Sequence, residues 1–180
     1  MNALGMWEGR FLLWVQEHLR MGGLNEVFRL ITTLGNEGMI WIGLILVMLV
    51  FKRTRRTALC CALSMILTLL LVNIAIKPLV ARTRPYVLLE GLEILVSRPG
   101  DFSFPSGHSA HAMACAWVIF RKIRNKWGVL ALIFAILMAL SRLYVGVHYP
   151  TDVIFGCLAG MGMAEIAMMA AGKFKFRADT

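Results

Sequence analysis

Charged residues are scarce in this sequence, and their scarcity excludes an ordinary soluble domain. They make up 16% of the 180 residues, whereas hydrophobic residues make up 59% and the mean hydropathy is +0.72. A soluble domain has about 25% charged and 45–50% apolar residues. Residues 57–76 carry no charge over a length that spans the hydrocarbon core of a bilayer. The composition predicts an integral membrane protein, with residues 1–180 forming one domain.

Cysteine is also sparse, and its placement excludes a disulfide framework or a cysteine-based metal site. The four cysteines lie inside apolar stretches without the CxxC spacing of metal sites. We expect them to be small buried hydrophobic residues. No signal peptide is predicted, because charged residues interrupt the N-terminal segment at Glu8, Arg10, Glu17 and Arg20.

Acidic residues number 10 against 19 lysines and arginines, so the net charge is +9. Many basic residues gather in three short clusters that flank apolar segments, at 52–56, 121–126 and 173–177. This distribution is typical of the cytoplasmic loops of membrane proteins. We therefore expect the bilayer, and no nucleic acid, as the partner of this charge.

The N-terminal region 7–34 differs from the rest of the chain. Residues 7–20 mix charged residues with aromatic ones, including Trp7 and Trp14, which predicts an amphipathic helix in the membrane interface. We expect Gly22-Gly23 to break this helix, a second short helix over 24–34, and a turn at 35–38.

Five apolar segments follow and predict the fold class. We expect an all-α, polytopic transmembrane bundle of about five to six helices with an N-terminal interfacial amphipathic helix. The expected spans are residues 38–51, 57–77, 106–121, 127–145 and 150–172. If they cross alternately, all three basic clusters lie on one side, which we assign to the cytoplasm. The loop 80–104 and the helix ends near 106 and 148 then lie on the extracytoplasmic side.

Cations and histidines from several helix ends share that extracytoplasmic side, against the general charge trend. They are Lys77, Arg82, Arg84, His108, Arg142 and His148, together with Asp152. Converging cations favour an anion, and phosphate is the commonest anion that a lipid offers. Ser106 is a good N-cap candidate and Gly107 allows close backbone approach, so the helix start is a second anion-binding element.

His148 and Asp152 are four residues apart, where one helix ends and the next begins with Pro150. This spacing lets the carboxylate hold an imidazole N–H, orient the ring and favour its positive form. The pair is the arrangement of an oriented nucleophile or base.

Three motifs in these segments resemble the signature of the type-2 phosphatidic acid phosphatase family, which includes lipid phosphatases and vanadium haloperoxidases. They are Lys77-x6-Arg84-Pro85, Pro105-Ser106-Gly107-His108 and Ser141-Arg142-x5-His148-x3-Asp152. All three are complete and stand in the family's order within residues 77–152.

The resemblance implies a mechanism and a role for each site residue. His148 is then the nucleophile that forms a phosphohistidine, Asp152 orients and charges it, and His108 is the general acid and later the base. The resemblance implies phosphoryl binding by Lys77, Arg84, Arg142, Ser106 and the Gly107 N–H. It implies neither a metal nor any other cofactor. Arg82 lies outside the signature and is interpreted as a headgroup contact.

Two other interpretations compete with the phosphatase. His108 and His111, spaced i and i+3, could form a metal pair completed by His148 and Asp152, but the clustered cations would repel a metal. A lipid-phosphate binding or transport protein would also collect polar residues in the membrane. The complete His-Asp-His set argues against it, because transport needs no proton donor opposite a nucleophile.

The predicted function is metal-independent hydrolysis of a terminal lipid phosphate at the extracytoplasmic face of the plasma membrane. Undecaprenyl diphosphate, released where bacterial cell-wall polymers are assembled, is the preferred substrate, converted to undecaprenyl phosphate. Phosphatidylglycerol phosphate and phosphatidate are the alternatives. Arg82 and Arg98 are predicted as extra cations for a second phosphate. The sequence predicts no particular oligomeric state.

Overall fold

The computed structural model describes residues 3–173, and within this range the chain is helical with no β-strand. This confirms the predicted all-α class. The helices are α1 (Ala3–Leu19), α2 (Gly22–Leu34), α3 (Met39–Val50), α4 (Arg55–Thr68), α5 (Lys77–Val80), α6 (Pro85–Leu88), α7 (Gly107–Lys122), α8 (Lys126–Tyr144) and α9 (Pro150–Lys173).

Helix α7 forms the centre of the bundle, where it packs against α4, α8 and α9. Its alanines at 110, 112, 114 and 116 are fully buried. On α9, a Cβ atom at Gly160 would lie 2.2 Å from the carbonyl oxygen of Ala110, and one at Gly156 would lie 2.6 Å from that of Ser106. Only glycine permits this approach, so Gly156 and Gly160 let α9 pack closely against α7.

Three helical segments in the described part of the chain are long and apolar enough to cross a membrane: Arg55–Leu88, Lys126–Tyr144 and Pro150–Gly172. The pair α2 and α3, bent by 57°, makes a fourth if it counts as one span. All five predicted segments are helical, but α7 has only 16 residues, or about 24 Å. The neighbouring helices cover α7. Because little of α7 then faces lipid, it does not need the length of a complete span.

Helix α4 continues through a π-helical stretch, Leu69–Ile76, into α5. The N–H of Lys77 bonds to the carbonyl of Val72, five residues earlier. Ala81 then adopts a left-handed conformation with φ of 47°, which ends the helix. π-helical turns are frequent at functional sites, and this stretch carries Asn73 and Lys77 to the end of the bundle.

The N-terminal region contains the two predicted helices, but the break lies at residues 20–21. Gly22 begins α2 and does not end α1. On α1, Trp7 and Trp14 are exposed, and aromatic rings stack along that face from Trp7 through Phe11 and Trp14 to His18. This face suits the headgroup region of a bilayer.

The signature residues gather at one end of the bundle, and two basic clusters lie at the other. Residues 52–56 join α3 to α4, and residues 121–126 join α7 to α8. There Glu165 accepts hydrogen bonds from Trp117 and Arg121 and so joins α9 to α7. The third cluster, at 173–177, falls outside the described residues apart from the backbone of Lys173.

The cysteine thiols are free. Cys60, Cys61 and Cys115 are buried and Cys157 is partly buried, which confirms their expected role as small apolar residues.

Candidate active site

A cavity of about 1340 Å³ opens at the signature end of the bundle. Six of the eight predicted site residues line it: Lys77, Arg84, Gly107, His108, Arg142 and His148. The other two, Ser106 and Asp152, are fully buried behind its wall. Asn36, Asn73, Asp101 and His111 also line it.

His148 lies in the turn between α8 and α9, and its neighbours explain how the turn forms. Gly146 has a φ of 81°, and a Cβ there would lie 3.0 Å from the carbonyl oxygen of Glu93. Pro150 begins α9 and Asp152 lies in its first turn, as predicted. The Nδ1 atom of His148 lies 3.5 Å from Oδ2 of Asp152, and both side chains are buried.

The charge state of His148 differs from the prediction that Asp152 would favour a positive imidazole. Burial, with the positive charges of Arg84 and Arg142, lowers the pKa of His148 to about 3 although Asp152 opposes the change. The imidazole is therefore neutral near pH 7, which leaves a lone pair on Nε2.

Asp152 accepts hydrogen bonds from groups other than His148. Its Oδ2 accepts hydrogen bonds from the Ser103 hydroxyl at 2.5 Å and the Tyr149 N–H at 2.9 Å. Its backbone carbonyl accepts from the Ser106 N–H at 2.9 Å. These bonds hold the carboxylate in one orientation beside His148.

A carboxylate of the protein itself joins two cations next to His148. Lys77 and Arg84 both form ion pairs with Asp101, the second at 2.5 Å. Nη1 of Arg84 lies 3.3 Å from Nε2 of His148 and donates to the Val147 carbonyl at 2.7 Å. Although burial alone would raise the pKa of Asp101, Lys77 and Arg84 lower it to about 2, so this carboxylate is ionised.

Arg142 is the third cation of the cavity and reaches it from the end of α8. Its side chain is buried, with Nη1 donating to the Thr32 hydroxyl on α2. Within residues 3–173 its Nε atom has no hydrogen-bond partner. A buried donor of this kind can bind an anion that enters the cavity.

The start of α7 contributes the second predicted anion-binding element. Ser106 caps the helix by accepting from the Ser109 N–H at 3.4 Å, which confirms the predicted N-cap. Its hydroxyl does not line the cavity, so its direct contact with a phosphoryl group stays a prediction. A Cβ at Gly107 would lie 3.8 Å from Nζ of Lys77, so the helix N-terminus lies beside that cation.

His108 faces the cavity from the first turn of α7, and the turn after α2 holds its ring. Nε2 of His108 lies 3.1 Å from Oδ1 of Asn36. A Cβ at Gly35 would lie 3.0 Å from Cδ2 of His108. Nδ1 of His111 lies 2.9 Å from its own helix carbonyl at Gly107.

The metal-site interpretation has no ligand set in the described part of the chain. Among residues 3–173, no group of three His, Cys, Asp or Glu side chains is placed to hold a metal ion.

Arg82 is not placed to contact a lipid headgroup, so this prediction is wrong. Its guanidinium donates to Asp152, Thr151 and Glu8, at 2.5 to 2.7 Å, and lies 4.0 Å above the Tyr149 ring. Arg98 lies 6.0 Å above the Tyr86 ring and does not line the cavity. Neither arginine provides the predicted cation for a second phosphate.

Sequence reasoning missed several residues that contact the site: Glu8, Asn36, Asn73, Asp101 and Ser103. Two of them had a detectable signal. Asn73 lies four residues before Lys77 on the same helical segment, and Asp101 lies six before Gly107 in the polar loop. Ser103 lies in the same loop, three residues before Ser106, whereas Glu8 and Asn36 come from the N-terminal region, far away along the chain.

The comparisons with known proteins agree with this arrangement. The PAP2 superfamily matches residues 57–175, about two thirds of the chain. The chain belongs to this superfamily, and it is an integral membrane phosphatase of lipid phosphates.

Particular relatives cover most of the chain. It is 35% identical over 146 residues to an undecaprenyl-diphosphatase of Sulfolobus acidocaldarius, covering 81% of this chain and 69% of that protein. It is 31% identical to a lipid A 4'-phosphatase of Bacteroides thetaiotaomicron, over 58% of this chain and 51% of that one.

Solved structures resemble the whole bundle. A phosphatidylglycerolphosphate phosphatase from Bacillus subtilis aligns with a TM-score of 0.79 and 28% identity, over 98% of this chain and 90% of that one. LpxE of Aquifex aeolicus aligns with a TM-score of 0.79 and 27% identity, over 89% and 93%.

Proposed function

We propose that this protein removes the terminal phosphate of undecaprenyl diphosphate, giving undecaprenyl phosphate, through a phosphohistidine at His148. The observation that carries the proposal is the Asp101 carboxylate, which Lys77 and Arg84 bind beside the nucleophilic nitrogen. A carboxylate held by these two cations supports binding of phosphoryl oxygens at the same place.

In the first step, the substrate phosphoryl group displaces Asp101 from the two cations. Nε2 of His148 attacks phosphorus, the bond from phosphorus to the bridging oxygen breaks, and undecaprenyl phosphate leaves. His108 donates a proton to that oxygen and is left neutral, ready to act as a base. Negative charge on the equatorial oxygens is stabilised by Lys77 and Arg84.

Arg142 and the Gly107 N–H complete the binding of those oxygens. The unpartnered Nε of Arg142 and the free N–H groups at the start of α7 are donors that need no rearrangement. Asp152 holds the Nδ1–H of His148 as the ring gains positive charge, which stabilises the phosphohistidine.

In the second step, water attacks the phosphohistidine. His108 accepts a proton from this water, the bond between phosphorus and Nε2 breaks, and inorganic phosphate leaves neutral His148 behind. Asn36 keeps the His108 ring oriented. The cations provide the positive charge that a metal would otherwise provide, so we propose that no metal takes part.

The shape of the cavity supports a lipid substrate. Away from the cations, the lining becomes apolar along α3, α4 and the start of the π-helical stretch, where several of its side chains are exposed. The apolar lining residues are Ile42, Ile45, Leu46, Ala62, Met65, Ile66 and Leu69. A lipid tail can occupy this surface while its phosphate reaches His148.

Two observations favour the diphosphate substrate. The similarity to an undecaprenyl-diphosphatase covers 81% of this chain. Arg29 of α2 also lines the cavity, and we propose it as the cation that contacts the second phosphate. Phosphatidylglycerol phosphate remains the main alternative, because the enzyme from Bacillus subtilis named for it shares the fold.

The substrate is tested by measuring kcat/KM for undecaprenyl diphosphate, phosphatidylglycerol phosphate and phosphatidate in one detergent, with and without EDTA. We expect the diphosphate to be preferred, and EDTA to have no effect. Arg29→Gln should lower kcat/KM about tenfold for the diphosphate and about twofold for phosphatidate.

A tenfold preference for phosphatidylglycerol phosphate would overturn the substrate assignment and leave the lipid phosphatase intact. Loss of turnover in EDTA with recovery in zinc would overturn the metal-free mechanism.

Asp101→Asn should increase the affinity for phosphate-like anions. The wild-type carboxylate stays ionised down to about pH 2 and competes with substrate for Lys77 and Arg84. Removing this competitor should lower the inhibition constant of vanadate about three- to tenfold. Inhibition curves on purified protein provide the measurement.

The matched control is Glu90→Gln, which removes the same charge from an exposed side chain in the same loop. It should leave the vanadate constant unchanged. An unchanged or higher constant in Asp101→Asn would show that Asp101 does not occupy the phosphoryl site.

We also propose that the site faces the extracytoplasmic side, because the basic clusters at 52–56 and 121–126 lie at the opposite end of the bundle. Ser97 and Arg124 are exposed residues at the two ends. In a background with the native cysteines replaced by alanine, Ser97→Cys should react with an impermeant thiol reagent on intact cells. Arg124→Cys should react only after lysis, and the reverse pattern would invert the topology.

A further inference from the structure

Glu8 is a buried carboxylate on a helix that has no part in the family signature. Helix α1 lies before the superfamily match at residues 57–175. Its aromatic face is exposed, yet the Glu8 side chain is 0% exposed. Burying a charge is unfavourable unless it is paired and hydrogen-bonded, so its partners are informative.

Those partners belong to the site end of the bundle. Oε2 of Glu8 accepts from Nη2 of Arg82 at 2.5 Å. Oε1 accepts from the N–H of Thr151 at 2.9 Å and from its hydroxyl at 2.5 Å. One carboxylate therefore joins α1 to the loop after α5 and to the first turn of α9.

Arg82 transmits this contact to the carboxylate beside His148. Its Nη1 donates to Oδ1 of Asp152 at 2.5 Å. The other oxygen of Asp152 is the one 3.5 Å from His148. Asp152 thus lies between two positive or potentially positive groups, and Arg82 competes with His148 for its negative charge.

We propose that Glu8 is a positioning residue for the phosphatase reaction. Its negative charge balances the positive charge of Arg82. The negative charge of Asp152 is then available to stabilise the imidazolium that forms when His148 attacks phosphorus. Glu8 also orients Arg82, which in turn holds Asp152. The inference rests on the proposed role of His148 as nucleophile.

The test compares charge-altered variants of the full-length enzyme in steady state. Glu8→Gln leaves the positive charge of Arg82 unbalanced and should lower kcat about tenfold. KM should change less than about twofold, because Glu8 does not line the cavity. In Glu8→Gln/Arg82→Gln the two charges are removed together, and kcat should return to within about threefold of wild type.

Glu17→Gln, at an exposed position of the same helix, is the matched control and should match wild type. Melting temperature and size-exclusion profile are measured for each variant. If Glu8 only docks α1, the double variant will be no more active than Glu8→Gln, which would overturn the inference.

Rapid quench with labelled substrate separates this inference from the function on which it rests. Wild type should form phosphohistidine, and Glu8→Gln should form it about tenfold more slowly. An unchanged rate of formation in Glu8→Gln would overturn the role of Glu8 alone. Absence of phosphohistidine in wild type would overturn the proposed function, and this inference with it.

Discussion

His148→Ala is expected to lower kcat by about 10⁴-fold or more, because no phosphoenzyme can form without the imidazole. The neutral ring and its buried carboxylate partner support the proposed role of this side chain as the nucleophile. Rapid quench with phosphate-labelled undecaprenyl diphosphate should detect a burst of labelled wild-type protein and none in the variant.

His18→Ala provides the control, since this histidine is exposed on α1 and does not line the cavity. It should retain wild-type turnover and the full burst. A full burst in His148→Ala would exclude His148 as the nucleophile.

His108→Ala is expected to lower kcat by about 10²- to 10⁴-fold and to change the slow step. A substrate with a good leaving group, such as p-nitrophenyl phosphate, needs no proton from His108. It should still phosphorylate the variant. Hydrolysis of the phosphohistidine should then be slow, because no base activates the water.

Single-turnover measurements separate the two steps for His108→Ala. Labelled protein should accumulate and decay far more slowly than in wild type. If phosphorylation and dephosphorylation were slowed equally with this substrate, His108 would act through the structure of the cavity and not as an acid and base. Asn36→Ala should show a weaker form of the same change.

Most of the fold could be predicted from local sequence features. The apolar segments at 57–77, 127–145 and 150–172 became helices because a chain in lipid must satisfy its backbone hydrogen bonds internally. The close approach at Gly160 followed from small residues at helical spacing. The π-helical stretch Leu69–Ile76 was not predicted, because its apolar residues have no feature that distinguishes it from an α-helix.

The site was predictable where its residues lie in compact motifs. His148 and Asp152, four residues apart, meet across one helix start. Arg82 shows the opposite case. Its three partners lie 69 to 74 positions away along the chain, and sequence alone interpreted it as a headgroup contact. Asp101 was likewise missed, since the ion pairs it forms depend on how the loop folds back.

The sequence by itself determined the membrane class, the helices and most of the candidate site residues, because hydropathy and motif spacing are local properties of the chain. The tertiary structure alone decided the neutral state of His148, the Asp101 carboxylate between two cations and the connection from Glu8 to Asp152. Each of these depends on burial and electrostatic potential, which arise from side chains that only the folded bundle brings together.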